Sequence, residues 1–153
     1  QAQRLGIHVT RHTAVADLDQ AVALVHGLEQ RHRSPRTPWV RRLLENLSLV
    51  DSTFLEARIG SRLVGCGSLL YDRGVQLATA LGLAPDVPYV YFALIYEGIR
   101  AAIEQRASFL RWGSGAEAVK HQLGFTPEDN NHARVILIQP FLRPLLRLAG
   151  GQV

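Results

Sequence analysis

Polar and apolar positions change period several times along this chain, and each change marks an element. Gly6 to Arg11 alternates apolar and polar side chains over a β-branched stretch, which predicts a strand. Leu18, Val22, Val25 and Leu28 then recur at helical spacing, with Asp17 or Asp19 placed to cap a helix that runs to about Arg31. A turn-rich basic connector, Arg31 to Pro38, leads into a second helix over Trp39–Leu47, with Pro38 suited to its first turn. Ser52–Ile59, Arg62–Tyr71 and Val75–Leu81 read as three successive antiparallel strands, joined at Gly60-Ser61 and Asp72-Arg73-Gly74. From Pro88 to about Arg106 a long helix is expected, its core face drawn by Phe92, Ile95, Ile99 and Ile103. Ser108–Trp112 is a short strand, Gly113-Ser114-Gly115 a tight turn, and Ala116–Leu123 a helix closed by Gly124. Ala133–Gln139 is a last strand before a proline-interrupted tail.

This order predicts one α/β domain over residues 1–153. It comprises a strand and two helices (6–50), antiparallel strands (52–82), a helix-strand-helix-strand block (88–139) and a tail (140–153). The Val75 and Ser108 strands, joined by a long helix, should lie parallel through a right-handed crossover, giving a mixed, mostly antiparallel sheet with a central parallel pair and helices on both faces. Ligands in such sheets favour the crevice at the carboxyl ends of parallel strands, which here means Leu81–Pro85 and Trp112–Gly115.

Composition narrows the classes. In 153 residues, 47% hydrophobic and 20% charged, there is too much apolar content for disorder and enough length for one core. No apolar run reaches the roughly 18 to 20 residues of a spanning helix, and no signal-peptide pattern opens the chain, so a soluble protein is expected. The single cysteine, Cys66, cannot form an internal disulfide, and a reducing cytoplasm is its natural setting. The net charge of +4 suits an anionic partner, although the arginines are scattered apart from those between Arg31 and Arg42. There is no methionine, as expected of a piece of a longer chain, and Lys120 is the one lysine beside 16 arginines.

Within this element order one block is distinctive: Tyr91, Tyr96, Ala101-Ala102, Phe109, Gly113-Ser114, Lys120 and Gly124-Phe125. With the central hairpin Ala57–Leu70, it resembles the GNAT acyltransferase fold, and within it the Fem-type (FemAB-like) branch of peptidyl and aminoacyl transferases. The segment Gln1–Val9 resembles the connector between the two GNAT-like halves of such proteins, so the resemblance implies a C-terminal half with a missing upstream half. It further implies transfer of an acyl or aminoacyl group from an activated carrier, acyl-CoA or aminoacyl-tRNA, to an amine-bearing small molecule or peptide. No tightly bound cofactor is implied, and tRNA is an expected partner. Two other readings stay open: a non-catalytic half serving as a scaffold, and a conventional acetyl-CoA N-acetyltransferase.

Where ordinary GNAT enzymes cradle the coenzyme A pyrophosphate on backbone N–H groups, this chain has Leu81-Gly-Leu-Ala-Pro-Asp-Val-Pro88. Two prolines remove donors and Asp86 adds negative charge; the plain alternative is a strand-to-helix linker. Gly113, Ser114 and Gly115 are candidate donor-binding residues through their N–H groups, while Ser114-x-x-Glu117 reads equally well as a capping box. The resemblance places Lys120 against the donor, where an ammonium would neutralise a phosphate or an oxyanion; its plain alternative is an ion pair with Glu117. Tyr91 is a candidate donor-binding phenol, Tyr96 a catalytic one, and Glu97 and His121 are the nearest candidate bases for an attacking amine. No metal-ligand spacing occurs.

Overall fold

The computed structural model describes residues 1–113 and 116–128; the expected Ala133–Gln139 strand and the tail lie outside them. The chain divides into two compact units, Gln1–Ser114 and Gly115–Val153. The first unit contains β1 (His8–His12), α1 (Leu18–Arg31), α2 (Val40–Glu45), β2 (Ser52–Ile59), β3 (Arg62–Asp72), β4 (Val75–Leu83), α3 (Val90–Glu104) and β5 (Phe109–Trp112). In the second, the described helix is α4 (Glu117–Gln122).

Local chemistry accounts for the boundaries. The Asp17 carboxylate accepts the Gln20 N–H at 3.1 Å and starts α1. Arg73 and Gly74 both adopt positive φ, 48° and 82°, which matches the twist a two-residue β3–β4 hairpin needs. The Gly74 carbonyl then accepts the Ser108 N–H at 2.7 Å and so seats the start of β5.

The sheet order is β1-β2-β3-β4-β5, antiparallel except for the parallel pair β4–β5, as the crossover argument requires. Cys66 and Gly82 are register partners, so they share a face, and that face carries α1. A Cβ on Gly82 would lie 2.7 Å from the Leu24 Cβ and 2.8 Å from the Val25 backbone nitrogen. Gly65 meets the opposite layer: its Cβ would stand 2.2 Å from Val90 and 3.3 Å from Leu94. Helices thus cover both faces, with Phe54, Cys66 and Ala80 packed under α1 and α2.

One expectation is corrected. The face of α3 turned to the sheet is Val90, Leu94, Ile95, Gly98, Ala101 and Ala102, whereas Ile103 is 71% exposed. Close approach is the reason: Gly98, Ala101 and Ala102 let the helix backbone rest on the strands beside Val90, Leu94 and Ile95, and Phe92, Ile99 and Ile103 are left at the margin. Helical spacing locates an apolar stripe but does not weigh side-chain size against helix-to-sheet distance. Among the described residues, no helix is long and apolar enough to cross a membrane.

Cys66 is buried, its Sγ directed at the Ala21 carbonyl at 3.7 Å, and burial pushes its pKa up to about 12. The folded state therefore holds the thiol proton where the unfolded chain, with a thiol pKa of about 8.5, releases it. Stability is expected to be unaffected by this group at neutral pH. It should fall as pH rises from about 9 toward 12, by as much as ~1.4 kcal/mol per pH unit. Denaturant titrations at pH 8 and pH 10 of wild type and Cys66→Ala check this: the slope should be smaller in the variant. Iodoacetamide should label Cys66 only in the unfolded chain.

Candidate functional site

The parallel pair is short. Register runs from Val75 opposite Phe109 to Ala78 opposite Trp112, while β4 continues to Leu83. Among the described residues the β4 stretch from Thr79 to Leu83 therefore has no β5 partner, the Leu83 carbonyl being taken by the Arg31 guanidinium at 2.5 Å, and the stretch lies at the carboxyl end of the pair, where the topology favours a ligand.

A register shift in β4 shapes this stretch. Gly67 pairs with Leu81 but Leu69 pairs with Ala78, so Thr79 and Ala80 together oppose Ser68. Ser68 is fully buried and fastens the irregularity. Its hydroxyl accepts the Ala80 N–H at 3.1 Å and shares a hydrogen bond with the Thr79 hydroxyl at 2.7 Å; Thr79 also donates to the Ser68 carbonyl at 3.3 Å. Ser68 escaped the reading of the sequence, although one polar residue within the apolar run Leu63–Leu70 was a visible signal.

Beyond β4 the loop offers few donors. The Ala84 N–H is already given to the Val64 carbonyl at 2.8 Å, Pro85 and Pro88 have none, and the Asp86 N–H turns to its own carboxylate. Arg62 grips both Asp86 oxygens at 2.8 Å and holds that carboxyl below the usual aspartate range. A pyrophosphate needs successive N–H groups here, and it would meet a carboxylate instead. Tyr89 precedes α3 in the left-handed region, φ 66°, and caps it with no side-chain hydrogen bond.

Helix α3 separates the candidate tyrosines. Tyr91 faces β5: burial raises its pKa, the Trp112 side chain works the other way, and no hydrogen bond is closed on its buried hydroxyl. Nearby, the Trp112 ring packs on Gly98, whose Cβ would lie 2.3 Å from it, and the buried Gln76 donates to the Gly98 carbonyl at 3.2 Å, its own Oε1 left without a partner. Tyr96, five residues further and so about 140° round the helix, opens elsewhere. It lines a groove of about 760 Å³ with Tyr89, Phe92, Glu97, His8 and Thr10, between the N-terminal segment with β1 and α3.

Glu97 is tied down in that groove. Arg11 of β1 donates to its Oε1 at 2.7 Å and Arg100 approaches Oε2 at 3.5 Å. Burial opposes the charge on Arg11, but its bonds to Glu104 and Glu97 more than offset this and raise its pKa. Both carboxylate oxygens are thus occupied in a clamp joining β1 to α3.

Lys120 and His121 belong to the second unit. Burial lowers the Lys120 pKa, against the opposing charge of Glu117. The expected capping box is corrected: α4 begins at Glu117 with Ala116 at its cap in the left-handed region and no side-chain cap, so Glu117 stands in the first helical position rather than the third. Ser114 and Gly115 lie outside the described residues, and Gly113 has φ 25°. At the other end, Gly124 donates to the His121 carbonyl and Phe125 to that of Lys120, both at 3.0 Å, which closes α4 in a Schellman motif and explains the Gly-Phe pair. Within the first unit the candidates are therefore divided, with Tyr91 beside β5 and Tyr96 and Glu97 in the groove; Lys120 and His121 lie on α4 of the second unit.

No family model matches the sequence, and no curated protein matches it. Solved structures do share its fold. The GCN5-related N-acetyltransferase from Ralstonia eutropha JMP134 superposes with a TM-score of 0.70 at 11% identity, covering 85% of this chain and 99% of that one. The PaiA N-acetyltransferase from Thermoplasma acidophilum, in complex with coenzyme A, gives 0.63 at 16% identity, covering 81% and 93%. An aminoglycoside acetyltransferase from an uncultured soil metagenomic sample, in complex with sisomicin, gives 0.60 at 16% identity, covering 90% and 99%. At these identities the likeness is one of fold.

Proposed function

We propose, with the GNAT acyltransferase fold as the premise, that this protein transfers an acyl group from a thioester donor to an amine. The observation that carries this reading is the Thr79–Gly82 stretch of β4, which runs beyond the last β5 pair and has no β5 partner among the described residues. An extended pantetheine arm holds two amides and can pair with that edge as a short strand does. The coenzyme A and aminoglycoside complexes among the structural neighbours support a donor and an acceptor of these classes.

Catalysis is then mainly orientation. The amine nitrogen attacks the thioester carbonyl; the new C–N bond forms as the C–S bond breaks, and a proton from the amine passes to the released thiolate through solvent. Tyr91 holds the donor through its hydroxyl. Tyr96 receives the acceptor in the groove, where ring faces suit a cation, and Glu97, held by Arg11 and Arg100, keeps α3 in register with β1 unless the acceptor amine displaces an arginine. For Lys120 the role proposed, from the Fem-type resemblance, is to neutralise the tetrahedral oxyanion, with His121 as the alternative proton acceptor.

A second reading, an aminoacyl ester of tRNA as donor, is favoured by the donor-poor loop at Pro85, Asp86 and Pro88; the Fem-type placement and an upstream GNAT-like half go with it.

The test incubates the full chain with acetyl-pantetheine, acetyl-CoA and charged tRNA, each with polyamine, aminoglycoside and lysyl-peptide acceptors, followed by mass spectrometry. Transfer from a thioester is expected, and no transfer from any donor would leave the scaffold reading. Tyr91→Phe should keep stability within about 0.5 kcal/mol, because its hydroxyl closes no hydrogen bond, yet raise KM for the donor about tenfold. Lys120→Ala should lower kcat about tenfold or more; an unchanged kcat removes Lys120 from the mechanism.

A further inference from the structure

We infer that the donor arrives on an acidic carrier protein, its acyl group held as a thioester on a phosphopantetheine arm, and that the arginines beside the β4–α3 loop are the docking surface. The inference rests on the acyl-transfer reading above and specifies its donor.

Three observations converge at the carboxyl end of β4. The first is the loop: among residues 84–88, one N–H is spent on Val64, one on its own carboxylate, and two residues are prolines. A nucleotide pyrophosphate meets only the Val87 N–H in this stretch and must compete with the Asp86 carboxylate for Arg62. A carrier-borne arm has a single phosphate ester and no nucleotide, so it loses nothing at this loop.

The second is the rim. Arg31, at the end of α1, donates to the Leu83 carbonyl at 2.5 Å, which brings the 32–37 connector to the end of β4. Arg33 and Arg36 are exposed on that connector, while Arg62, across the loop, is paired with Asp86 and adds no net charge. The connector is held rather than loose: Ser34 donates to the Glu29 carbonyl at 2.9 Å and the Thr37 N–H to the Glu29 carboxylate at 3.2 Å. Arg33 takes a left-handed backbone conformation, φ 54°, which a non-glycine residue adopts at a cost. The acidic groups present are already engaged, Asp86 by Arg62 and Glu29 by Thr37 and His26. The surface offered to a partner is therefore basic, and its complement is acidic.

The third is the strand edge, which separates the anionic candidates. Arginine charge alone would suit coenzyme A phosphates or RNA equally well. The loop tells against the pyrophosphate. A strand edge of peptide donors and acceptors pairs with trans amides along an extended chain, which pantetheine has and the sugar-phosphate backbone of RNA lacks.

The experiment compares kcat/KM of the full chain for octanoyl and acetyl groups presented on a fatty-acid acyl carrier protein, on CoA and on bare pantetheine, with charged tRNA as a fourth donor and the acceptors named above. The carrier protein should exceed CoA by at least about tenfold, and its advantage should shrink between about 50 and 300 mM salt. The double substitution Arg33→Glu/Arg36→Glu should cost the carrier about tenfold more than it costs bare pantetheine. Asp86→Ala should improve CoA about fivefold relative to the carrier. Equal or better use of CoA, transfer from tRNA alone, or an equal loss on every donor in the arginine variant overturns the inference. If no donor, bare pantetheine included, acylates any acceptor, the acyl-transfer reading itself fails. Turnover of pantetheine or CoA without preference for the carrier removes only the carrier.

Discussion

Gly82→Ala should destabilise the protein by about 3 kcal/mol, the upper end of what overpacking usually costs, and lower its melting temperature by about 10 °C. The added methyl would fall 2.7 Å from the Leu24 Cβ, 2.8 Å from the Val25 backbone nitrogen and 2.9 Å from the Cys66 Sγ. A flexible side-chain tip would rotate away, but the first two of these atoms move only if α1 lifts off the sheet. The companion change, Gly27→Ala, lies in the same helix and has the opposite expected sign. Its Cβ meets only the Arg31 guanidinium at 3.6 Å, so replacing a helical glycine should stabilise by about 0.5 to 1 kcal/mol. Thermal and urea unfolding of the two variants measure both effects. A wild-type midpoint for Gly82→Ala would mean that α1 does not pack on β4 as described.

Ser68→Ala has the next largest expected effect. It removes the acceptor for the buried Ala80 N–H and the partner of the Thr79 hydroxyl, at a cost of about 2 kcal/mol for polar groups left unsatisfied. Because Ser68 fastens the irregularity just before the open edge of β4, donor use should fall as well, with KM for acyl-pantetheine rising more than kcat falls. Thr79→Val separates the two contributions: in a double-mutant cycle the pair should couple by about 1 kcal/mol. Additivity would show that the hydroxyl pair does not hold the bulge. A stability loss with unchanged donor KM would show that the bulge is structural only.

The part of the site legible beforehand was its address. The run of elements placed a crevice at the carboxyl ends of the Val75 and Ser108 strands, and β4 and β5 do pair in parallel, which is the part of that argument the register bears out. The donor-poor loop was equally legible, because a proline lacks its N–H in any fold. Membership of the site was not. Tyr91, Tyr96 and Glu97 lie within seven residues, yet a helix turns 100° per residue and sends Tyr91 to β5 but Tyr96 and Glu97 to the groove. Nor does the sequence state that Arg11 reaches Glu97, since 86 residues separate them and only the β1–α3 packing brings them together. Gln76 and Trp112 likewise meet Gly98 only after the sheet has formed.

By itself, then, the sequence determined what depends on neighbours along the chain. It settled the alternation that makes β1 a strand, the Asp17 cap, the Arg73-Gly74 hairpin, the Gly124 stop of α4 and the loss of N–H donors at Pro85 and Pro88. Tertiary structure decided what depends on distance across the fold. It turned α3 so that Gly98, Ala101 and Ala102 meet the sheet, ended the β4–β5 pairing at Trp112, and spent both oxygens of Glu97 on arginines. The physical reason is range: hydrogen bonds and dihedral preferences within a few residues are written in local order, whereas packing distance and charge pairing are sums over elements that the chain brings together only when it folds.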